Sequence, residues 1–440
     1  MMKRPFIALA IVLAASMTIV NAQVVNIPDN HFKEYLVGNV AINTNGDNEI
    51  QESEAVTYTG EIHCNNSGIA DLTGIEAFTS ITSLLCNNNL LTVLDVSNNT
   101  ALERLRCHNN LLAALDVSNN TALKELSCYN CPLTVLDVSN NTALEELSCY
   151  NCPLTILDVS NNIALKWLWC HNTSLTFLDV SNNTALEGLG CSINQLTALD
   201  VTNNTALKEL YCHNNSLTSL DVSYNTALEI LTCNNNALTE LDVSNNTALE
   251  ELGCPYNQLA ALDVTNNVVL ESLWCSYNSL TALDLNNNHA LKQLWCNNNM
   301  LNALDIRNGN NIFFIEIDAS SNSNLTCIQV DDAIYSTENW VADPFLFDAQ
   351  ASFSEDCLNP TSVNDVHEGS YFSIYPNPTK GIVNFSAQTN VQLLNTTGQI
   401  IFEKKNINTL DLSNQPDGIY LLTLTDRKGQ VIQRRKIIKD

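Results

Sequence analysis

The chain has 440 residues, more than one ordinary domain needs, and its content of 45% hydrophobic and 15% charged residues argues against a fully disordered protein. Its 47 acidic and 19 basic residues give a net charge of −28, which argues against nucleic acid as a partner because phosphate backbones would be repelled. Residues 23–370 hold 42 acidic and 8 basic residues, whereas residues 371–440 hold 5 and 9, so we expect separate modules with a boundary near 360–370.

Residues 1–22 have the pattern of a signal peptide. Lys3 and Arg4 precede an apolar run over residues 5–20, and Val20-Asn21-Ala22 offers small residues for cleavage before Gln23. The apolar run is shorter than the roughly 20 residues that a membrane-spanning helix needs, and no later stretch is long and apolar enough. The sequence therefore predicts export of a mature chain that has no transmembrane segment.

Residues 23–61 are expected to form an N-terminal cap. Asp29 precedes a helical pattern over residues 30–36. The segment AINTNGDNEIQESEA then places oxygen-bearing side chains with the spacing of an EF-hand calcium loop, at Asn43, Asn45, Asp47 and Glu54. Asn43 stands where Asp is usual, and Asn48 stands where Gly is usual. The loop is therefore predicted either to bind calcium weakly or to act as a polar cap, and no other cofactor is required.

Cysteines recur at a constant interval from Cys86 through Cys107 and Cys128 to Cys296. Cys64 precedes Cys86 by an interval that is one residue longer. One repeat, residues 102–122, reads LERLRCHNNLLAALDVSNNTA, so L-x-x-L-x-C-x-x-N is followed by a second half of similar spacing. A fixed period of this length indicates a solenoid. The pattern extends over residues 62–322 and resembles the leucine-rich repeat family.

The alternation of side chains supports this fold without the family name. Apolar and variable residues alternate around Leu105, as a strand with one buried face requires, and stacked copies make a parallel sheet. We expect this sheet on the concave side of a curved solenoid, with Asn110 and its equivalents turning the chain and bonding to the backbone of their own and the next rung. Because the second half of the repeat copies the first, short extended segments rather than helices are predicted on the convex side.

Regularly spaced cysteines in an exported protein are typical of a disulfide framework, but the spacing of parallel strands disfavours one here. Neighbouring strands lie about 4.8 Å apart, beyond the usual Cβ separation of a bridge, and side chains in one row cannot surround zinc tetrahedrally. We interpret these cysteines as buried apolar residues. Cys131 and Cys152 replace the turn asparagine on consecutive rungs. The sequence allows either a disulfide between them or two buried thiols.

An aspartate recurs in the second half of each repeat, from Asp95 to Asp305. Neighbouring carboxylates about 5 Å apart repel, so something must compensate. Hydrogen bonds from the Ser, Thr and Asn residues of the DVSNNT segment are our first interpretation. Metal ions along the convex edge are the alternative.

The outward positions of the predicted concave strands vary and are rich in aromatic residues. Exposed aromatic rings on a rigid sheet are costly unless they pack on each other or meet a ligand. His108 and His213 share the repeat position of His171 but lie too many rungs apart to bind one metal ion together. The residues predicted to bind a ligand are Trp167, Trp169, His171, Tyr150, Tyr129, Tyr211, Trp274 and Trp295.

Residues 323–358 are expected to cap the other end of the solenoid. Before them, Ile315 and Ile317 are predicted to take the positions of Leu294 and Cys296, which gives one further rung. Cys327 and Cys357 lie outside the cysteine row, and a disulfide between them would staple this cap in an oxidising compartment. Residues 359–370 have the composition of a linker.

Residues 371–440 contain short alternating strands separated by Gly, Pro and Asn turns, which predicts a small all-β, immunoglobulin-like sandwich. A series of motifs resembles the C-terminal sorting domain of type IX secretion substrates, namely Tyr375-Pro376-Asn377-Pro378, Thr397-Gly398-Gln399, Pro416-Asp417-Gly418-Ile419-Tyr420 and Arg434-Arg435-Lys436. The resemblance implies export across both membranes by the type IX machinery, an extracellular or surface-attached location, and removal of this domain.

No arrangement of residues in the sequence indicates an enzyme, because no nucleophile and base are placed together. We expect a secreted or cell-surface binding or adhesion protein that recognises a protein or glycan through its concave face. A structural surface-layer or matrix protein without a discrete ligand is the alternative.

Overall fold

The computed structural model describes residues 23–357, 374–395, 399–425 and 431–440. The predicted signal peptide, the predicted linker 359–370 and the Thr397-Gly398 motif lie outside these residues. Two structural units divide the chain, residues 1–360 and 361–440. Each is described separately below.

The first unit is a solenoid built on a fourteen-stranded parallel sheet. Its strands are very short, because each repeat contributes a single strand to the sheet before the chain turns. Neighbouring strands pair in register, so that Leu126, Leu147 and Leu168 form one buried row. The strands are β1 (Glu61–His63), β2 (Ser83–Leu85), β3 (Arg104–Arg106), β4 (Glu125–Ser127), β5 (Glu146–Ser148), β6 (Trp167–Trp169), β7 (Gly188–Gly190), β8 (Glu209–Tyr211), β9 (Ile230–Thr232), β10 (Glu251–Gly253), β11 (Ser272–Trp274), β13 (Gln293–Trp295), β15 (Glu316–Asp318) and β17 (Phe345–Leu346).

The opposite side of each rung consists of short extended segments and turns, as predicted. Towards the C-terminal end these segments pair into a second, four-stranded parallel sheet. Its strands are β12 (Ala282–Asp284), β14 (Ala303–Asp305), β16 (Cys327–Gln329) and β18 (Ser352–Ser354). We call this side of the solenoid the turn side, and the outward surface of the fourteen-stranded sheet the sheet face.

Buried cysteines fill the interior beside the leucines. The thiols of the repeated row are free, and burial raises their pKa, to about 12 in Cys191. Cys131 and Cys152 are also free buried thiols, and the Cys152 Sγ lies 3.4 Å from the Cys128 carbonyl oxygen. Of the two possibilities left by the sequence, the structure therefore shows two buried thiols and not a disulfide. The thiols replace asparagine amides in the turn.

An asparagine ladder closes the turn that follows most strands of the long sheet, whereas Cys131, Cys152 and Thr173 take this position after β4, β5 and β6. The Asn110 Nδ2 donates to the carbonyl oxygens of Cys107 at 2.9 Å and Cys86 at 3.1 Å, and its Oδ1 accepts the Leu91 N–H at 3.0 Å. Each of these asparagines thus joins its own rung to the preceding one, whereas we predicted the next one. Asn109 adopts a left-handed φ of 54°, which asparagine tolerates well.

The repeated aspartates cap turns on the turn side, which confirms their structural interpretation. The Asp116 Oδ1 accepts the Ser118 N–H at 2.9 Å, and the same contact recurs from rung to rung. Hydrogen bonds from the Ser118 hydroxyl and backbone hold the pKa of Asp116 below its ordinary value of 3.8. Hydrogen bonding to the ionised form therefore outweighs the repulsion between neighbouring carboxylates.

These caps make the stability of the solenoid depend on pH. A carboxyl whose pKa is depressed by folding contributes stability above its unfolded pKa, and that contribution is lost as the pH falls through the folded pKa. We expect the urea midpoint to be nearly constant between pH 7 and 5 and to fall below about pH 3.9. Asparagine keeps the Oδ1 acceptor but does not titrate, so replacing Asp116, Asp137, Asp158 and Asp179 by Asn should reduce the acid loss. An unchanged acid profile in this variant would contradict the assignment.

The N-terminal cap contains helices α1 (Asn30–Gly38) and α2 (Glu52–Thr57). Asp29 caps α1 by accepting the His31 and Phe32 N–H groups, and its second oxygen accepts the Ala70 N–H at 2.8 Å. Phe32 and Leu36 are fully buried against the first rungs. The cap thus covers the apolar end of the solenoid, as predicted.

The C-terminal cap contains helix α3 (Ala333–Asn339) and a cluster of aromatic rings around Trp340. The predicted disulfide between Cys327 and Cys357 is present. The positions predicted for Ile315 and Ile317 are both wrong: Ile317 pairs with Leu294 instead of taking the position of Cys296, and Ile315 is 57% exposed. The step between these rungs is longer than the regular repeat, so the inward register moves further along the chain, from Ile315 to Ile317.

The second unit is an antiparallel all-β domain, as the sequence predicts. Its core includes Val383, Leu393 and Leu422. The Asn377 side chain donates to the Lys436 carbonyl oxygen at 2.7 Å and accepts the Ile438 N–H at 2.8 Å, so one motif is tied to the last strand. The strands form one hydrogen-bonded sheet and are β19 (Ile374–Tyr375), β20 (Ile382–Asn395), β21 (Ile400–Asp411), β22 (Gly418–Thr425) and β23 (Val431–Lys439).

Candidate functional site

Three columns of side chains run across the sheet face. In β5 and the two residues after it, Glu146, Ser148 and Tyr150 point outward, whereas Leu147 and Cys149 are buried inside. Since neighbouring strands pair in register, each outward position lies beside the equivalent position of the next rung. Residues one repeat apart in the sequence are therefore neighbours on this surface.

An open depression with a volume of about 700 Å³ lies on the sheet face over β3 to β8. We call its central part the trough. Serines form its floor, glutamates one side and tyrosines the other, while an arginine and a tryptophan lie at its two ends. These residues are Ser127 and Ser148, Glu125 and Glu146, Tyr129 and Tyr150, and Arg106 and Trp169.

Four rings form a stacked column along one side of the trough. The ring centroids of His108 and Tyr129, of Tyr129 and Tyr150, and of Tyr150 and His171 lie 4.1, 4.1 and 4.2 Å apart. Burial lowers the pKa of both histidines below 6.5, which favours neutral imidazoles at physiological pH. The faces of the tyrosine rings are covered by their neighbours, so the trough meets ring edges and hydroxyl groups.

Two glycines make room for the tryptophans of β6. A Cβ atom at Gly188 would lie 2.2 Å from the Trp167 ring, and one at Gly190 would lie 2.4 Å from the Trp169 ring. Each indole leans over the next rung. The Trp169 ring therefore reaches Tyr211, two rungs away, at a centroid distance of 5.9 Å.

The glutamate side of the trough holds one paired and one perturbed carboxyl group. Glu125 accepts hydrogen bonds from Arg106 and from the Arg104 Nε, the latter at 2.9 Å, which fixes its orientation. Burial, and next the charge of Glu125, raise the pKa of Glu146 above its ordinary value. The trough thus offers one acceptor, Glu125, that is held in place before any ligand arrives.

Ile193 lies at the edge of the depression in an unusual backbone conformation. Its φ is 54°, in a row where most rungs carry asparagine, and its side chain is 45% exposed. A β-branched residue in the left-handed region is strained by about 1–3 kcal/mol, and such strain is concentrated at functional sites. Ile193 is not among the residues predicted from the sequence, although it interrupts an otherwise polar row.

The residues predicted from the sequence fall into two groups. Tyr129, Tyr150, Trp169, His171 and Tyr211 line the depression, and Trp167 stacks beside Trp169 at 6.0 Å. Trp274 and Trp295 form a separate pair, with β9 and β10 lying between them and the strand of Tyr211.

The polar half of the trough is not among the residues predicted from the sequence. Glu125 and Glu146 occupy the outward position that Trp167 occupies on its own strand. Arg106, Ser127 and Ser148 likewise share the position of Trp169. A comparison of equivalent repeat positions could have found them.

The N-terminal loop satisfies its own polar groups. The Glu54 Oε1 accepts hydrogen bonds from the Thr44 and Asn45 N–H groups and the Thr44 hydroxyl, and its Oε2 accepts the Gln51 N–H. The Asn43 Oδ1 accepts the Gly46 N–H. These contacts are those of the polar capping loop that the sequence left as one alternative.

Calcium binding remains a prediction for this loop. Ligation by Glu54 would exchange its hydrogen bonds for the metal ion, so we expect weak affinity and an increase in melting temperature only at millimolar calcium. Differential scanning calorimetry with and without calcium measures this shift. Glu54→Gln should abolish the shift, and an identical melting curve for the original chain with and without calcium would remove the proposal.

Among residues 23–357 and the described parts of the second unit, no group of three or more His, Cys, Asp and Glu residues could hold a metal ion. Within the same residues, no helix is long and apolar enough to cross a membrane.

Two family models match parts of the chain. Residues 373–440 match the secretion system C-terminal sorting domain, and residues 47–183 match the leucine-rich repeat domain of the endo-β-N-acetylglucosaminidase EndoS. Over 73 residues, or 17% of this chain, the sequence is 40% identical to Internalin J of Listeria monocytogenes. That match spans 8% of the length of Internalin J.

Solved structures show the same solenoid architecture. The functional domain of InlJ from Listeria monocytogenes, described as including a cysteine ladder, has a TM-score of 0.64 at 25% identity, covering 95% of this chain and all of that one. The internalin InlF of the same species has a TM-score of 0.54 at 21% identity, with coverage of 70% and 96%. The chain is therefore a leucine-rich repeat protein with a type IX secretion C-terminal sorting domain, exported to the cell surface or the extracellular medium.

Proposed function

We propose that the chain is an exported binding or adhesion protein that recognises its partner, a protein or a glycan, through the depression on the sheet face. The observation that carries this proposal is the contrast between the two sides of the solenoid. The turn side repeats nearly the same residues, with its aspartates engaged in capping. The sheet face instead concentrates aromatic, acidic and hydroxyl side chains in one place. Unequal surface chemistry of this kind can specify a partner.

The loss of stability caused by residues on the sheet face supports the same proposal. The strained Ile193 is exposed at the edge of the depression, where asparagine would fit the backbone better. The two tryptophans of β6 also depend on glycines in β7, which contribute less to strand stability than other residues would. Contact with a ligand would offset these costs.

The test is binding of the purified chain to arrays of extracellular proteins and of glycans. We expect at least one specific partner, and we expect Trp169→Ala combined with Tyr211→Ala to weaken its binding at least about tenfold, because aromatic side chains dominate such interfaces. The matched control replaces Val135 and Ile156 on the turn side by Ser; their side chains are 70% and 76% exposed.

Circular dichroism would show that both variants fold. Equal binding by the sheet-face variant, or loss of binding only in the turn-side control, would contradict the proposed function. Absence of any specific partner on both arrays would instead favour the alternative of a structural matrix protein without a discrete ligand. The proposal assigns no catalytic step to the chain.

A further inference from the structure

We propose that the trough binds a neutral carbohydrate, as one stretch of a linear oligosaccharide. This inference rests on the proposed function and names the class of ligand. Glu125 and Glu146 would accept hydrogen bonds from sugar hydroxyls, the hydroxyls of Ser148 and Tyr150 would exchange hydrogen bonds with them, and Trp169 would pack against the apolar part of a ring.

The charges around the trough disfavour an anionic ligand. Two carboxyl groups line one side, and the arginine at the end of the trough is already paired with Glu125. The chain as a whole also carries a net charge of −28. A phosphorylated or strongly acidic ligand would therefore be repelled. A neutral or cationic ligand remains.

The stacked column favours a neutral ligand over a cationic one. Cations bind to the faces of aromatic rings, where the quadrupole is negative, whereas ring edges are positive. Tyr129 and Tyr150 stack face to face at 4.1 Å, so nothing can enter between these two rings. They present edges and hydroxyl groups to the trough, which suits a ligand rich in hydroxyl groups.

The residue types favour a carbohydrate over a protein partner. Interfaces between proteins are depleted in Glu and Ser at their centres, yet Glu146 and Ser148 lie at the centre of the trough. A stable protein interface also buries about 800 Å² on each partner, more than a trough two rungs long provides. The spacing of about 4.8 Å between rungs is close to the length of one pyranose in an extended chain, so successive sugars could meet equivalent side chains.

The experiment is isothermal titration of the full chain with cellohexaose, chitohexaose, maltohexaose and mannohexaose. We expect at least one to bind with a Kd of about 1 mM or tighter. Glu146→Gln and Tyr150→Phe each keep the shape of the trough and remove a carboxylate or a hydroxyl, and each should weaken binding about tenfold. Val135→Ser, on the turn side, is the control and should leave binding unchanged.

Two charged probes and the array experiment separate the possible failures. A hexagalacturonate and a hexalysine peptide should not bind. The carbohydrate proposal is overturned if none of the four neutral probes binds at about 10 mM, if hexalysine or hexagalacturonate binds instead, or if Glu146→Gln and Tyr150→Phe bind as tightly as the original chain. If the array then yields a protein partner that depends on Trp169, the proposed function stands and only the carbohydrate class is wrong.

Discussion

Removal of residues 373–440 is expected to abolish delivery of the chain to the cell surface and to leave it in the periplasm of its native host. These residues match the sorting domain and belong to the second structural unit, which has its own buried core. The deletion therefore removes the transport signal without opening the solenoid core. Cell fractionation and immunoblotting of the surface, periplasmic and medium fractions measure the outcome.

The matching experiment tests whether the domain is sufficient. Residues 361–440, the whole second unit, are fused to a periplasmic carrier protein that is not otherwise exported across the outer membrane. We expect the fusion to reach the surface. Normal surface delivery of the chain that lacks residues 373–440 would show that the signal lies elsewhere.

Leu168→Ala is expected to destabilise the solenoid by about 2–5 kcal/mol, because it leaves a cavity in the core of a middle rung. Leu168 is fully buried in β6 and pairs in register with Leu147 and Leu189. In a solenoid each rung is supported by its neighbours, so a loss at one rung also weakens the two interfaces beside it. Urea unfolding followed by circular dichroism measures the change in the free energy of unfolding.

The control for this substitution lies in the same rung. Phe177 is 69% exposed on the turn side, so Phe177→Ala should change the free energy of unfolding by no more than about 0.5 kcal/mol. Comparable losses in the two variants would mean that burial in the repeat does not follow the alternation described above.

The repeated core could be predicted residue by residue, because the constant length of the repeat puts equivalent residues beside one another. Leu105, Cys107 and Leu112 are all fully buried, as the alternation of the sequence predicts. The prediction failed where the step changes: Ile315 and Ile317 were placed by counting from Leu294, but the longer connection moves Ile317 from the cysteine position to the leucine position and leaves Ile315 exposed. The repeat length therefore predicts the pairing register of the strands only where that length is constant.

By itself, the sequence determined the solenoid, its two caps, the Cys327–Cys357 disulfide and the sorting domain, since these depend on local pattern, period and motif. Only the tertiary structure decided which outward residues form one site. Trp169 and Tyr211 lie two repeats apart in the sequence. They come into contact because the rung between them carries Gly190, whose missing side chain leaves room for the indole to reach Tyr211. The trough likewise places Glu146 of one rung and Tyr129 of the preceding rung on its two sides. Outward side chains obey no burial pattern, so their grouping depends on the size and charge of the residues on neighbouring rungs.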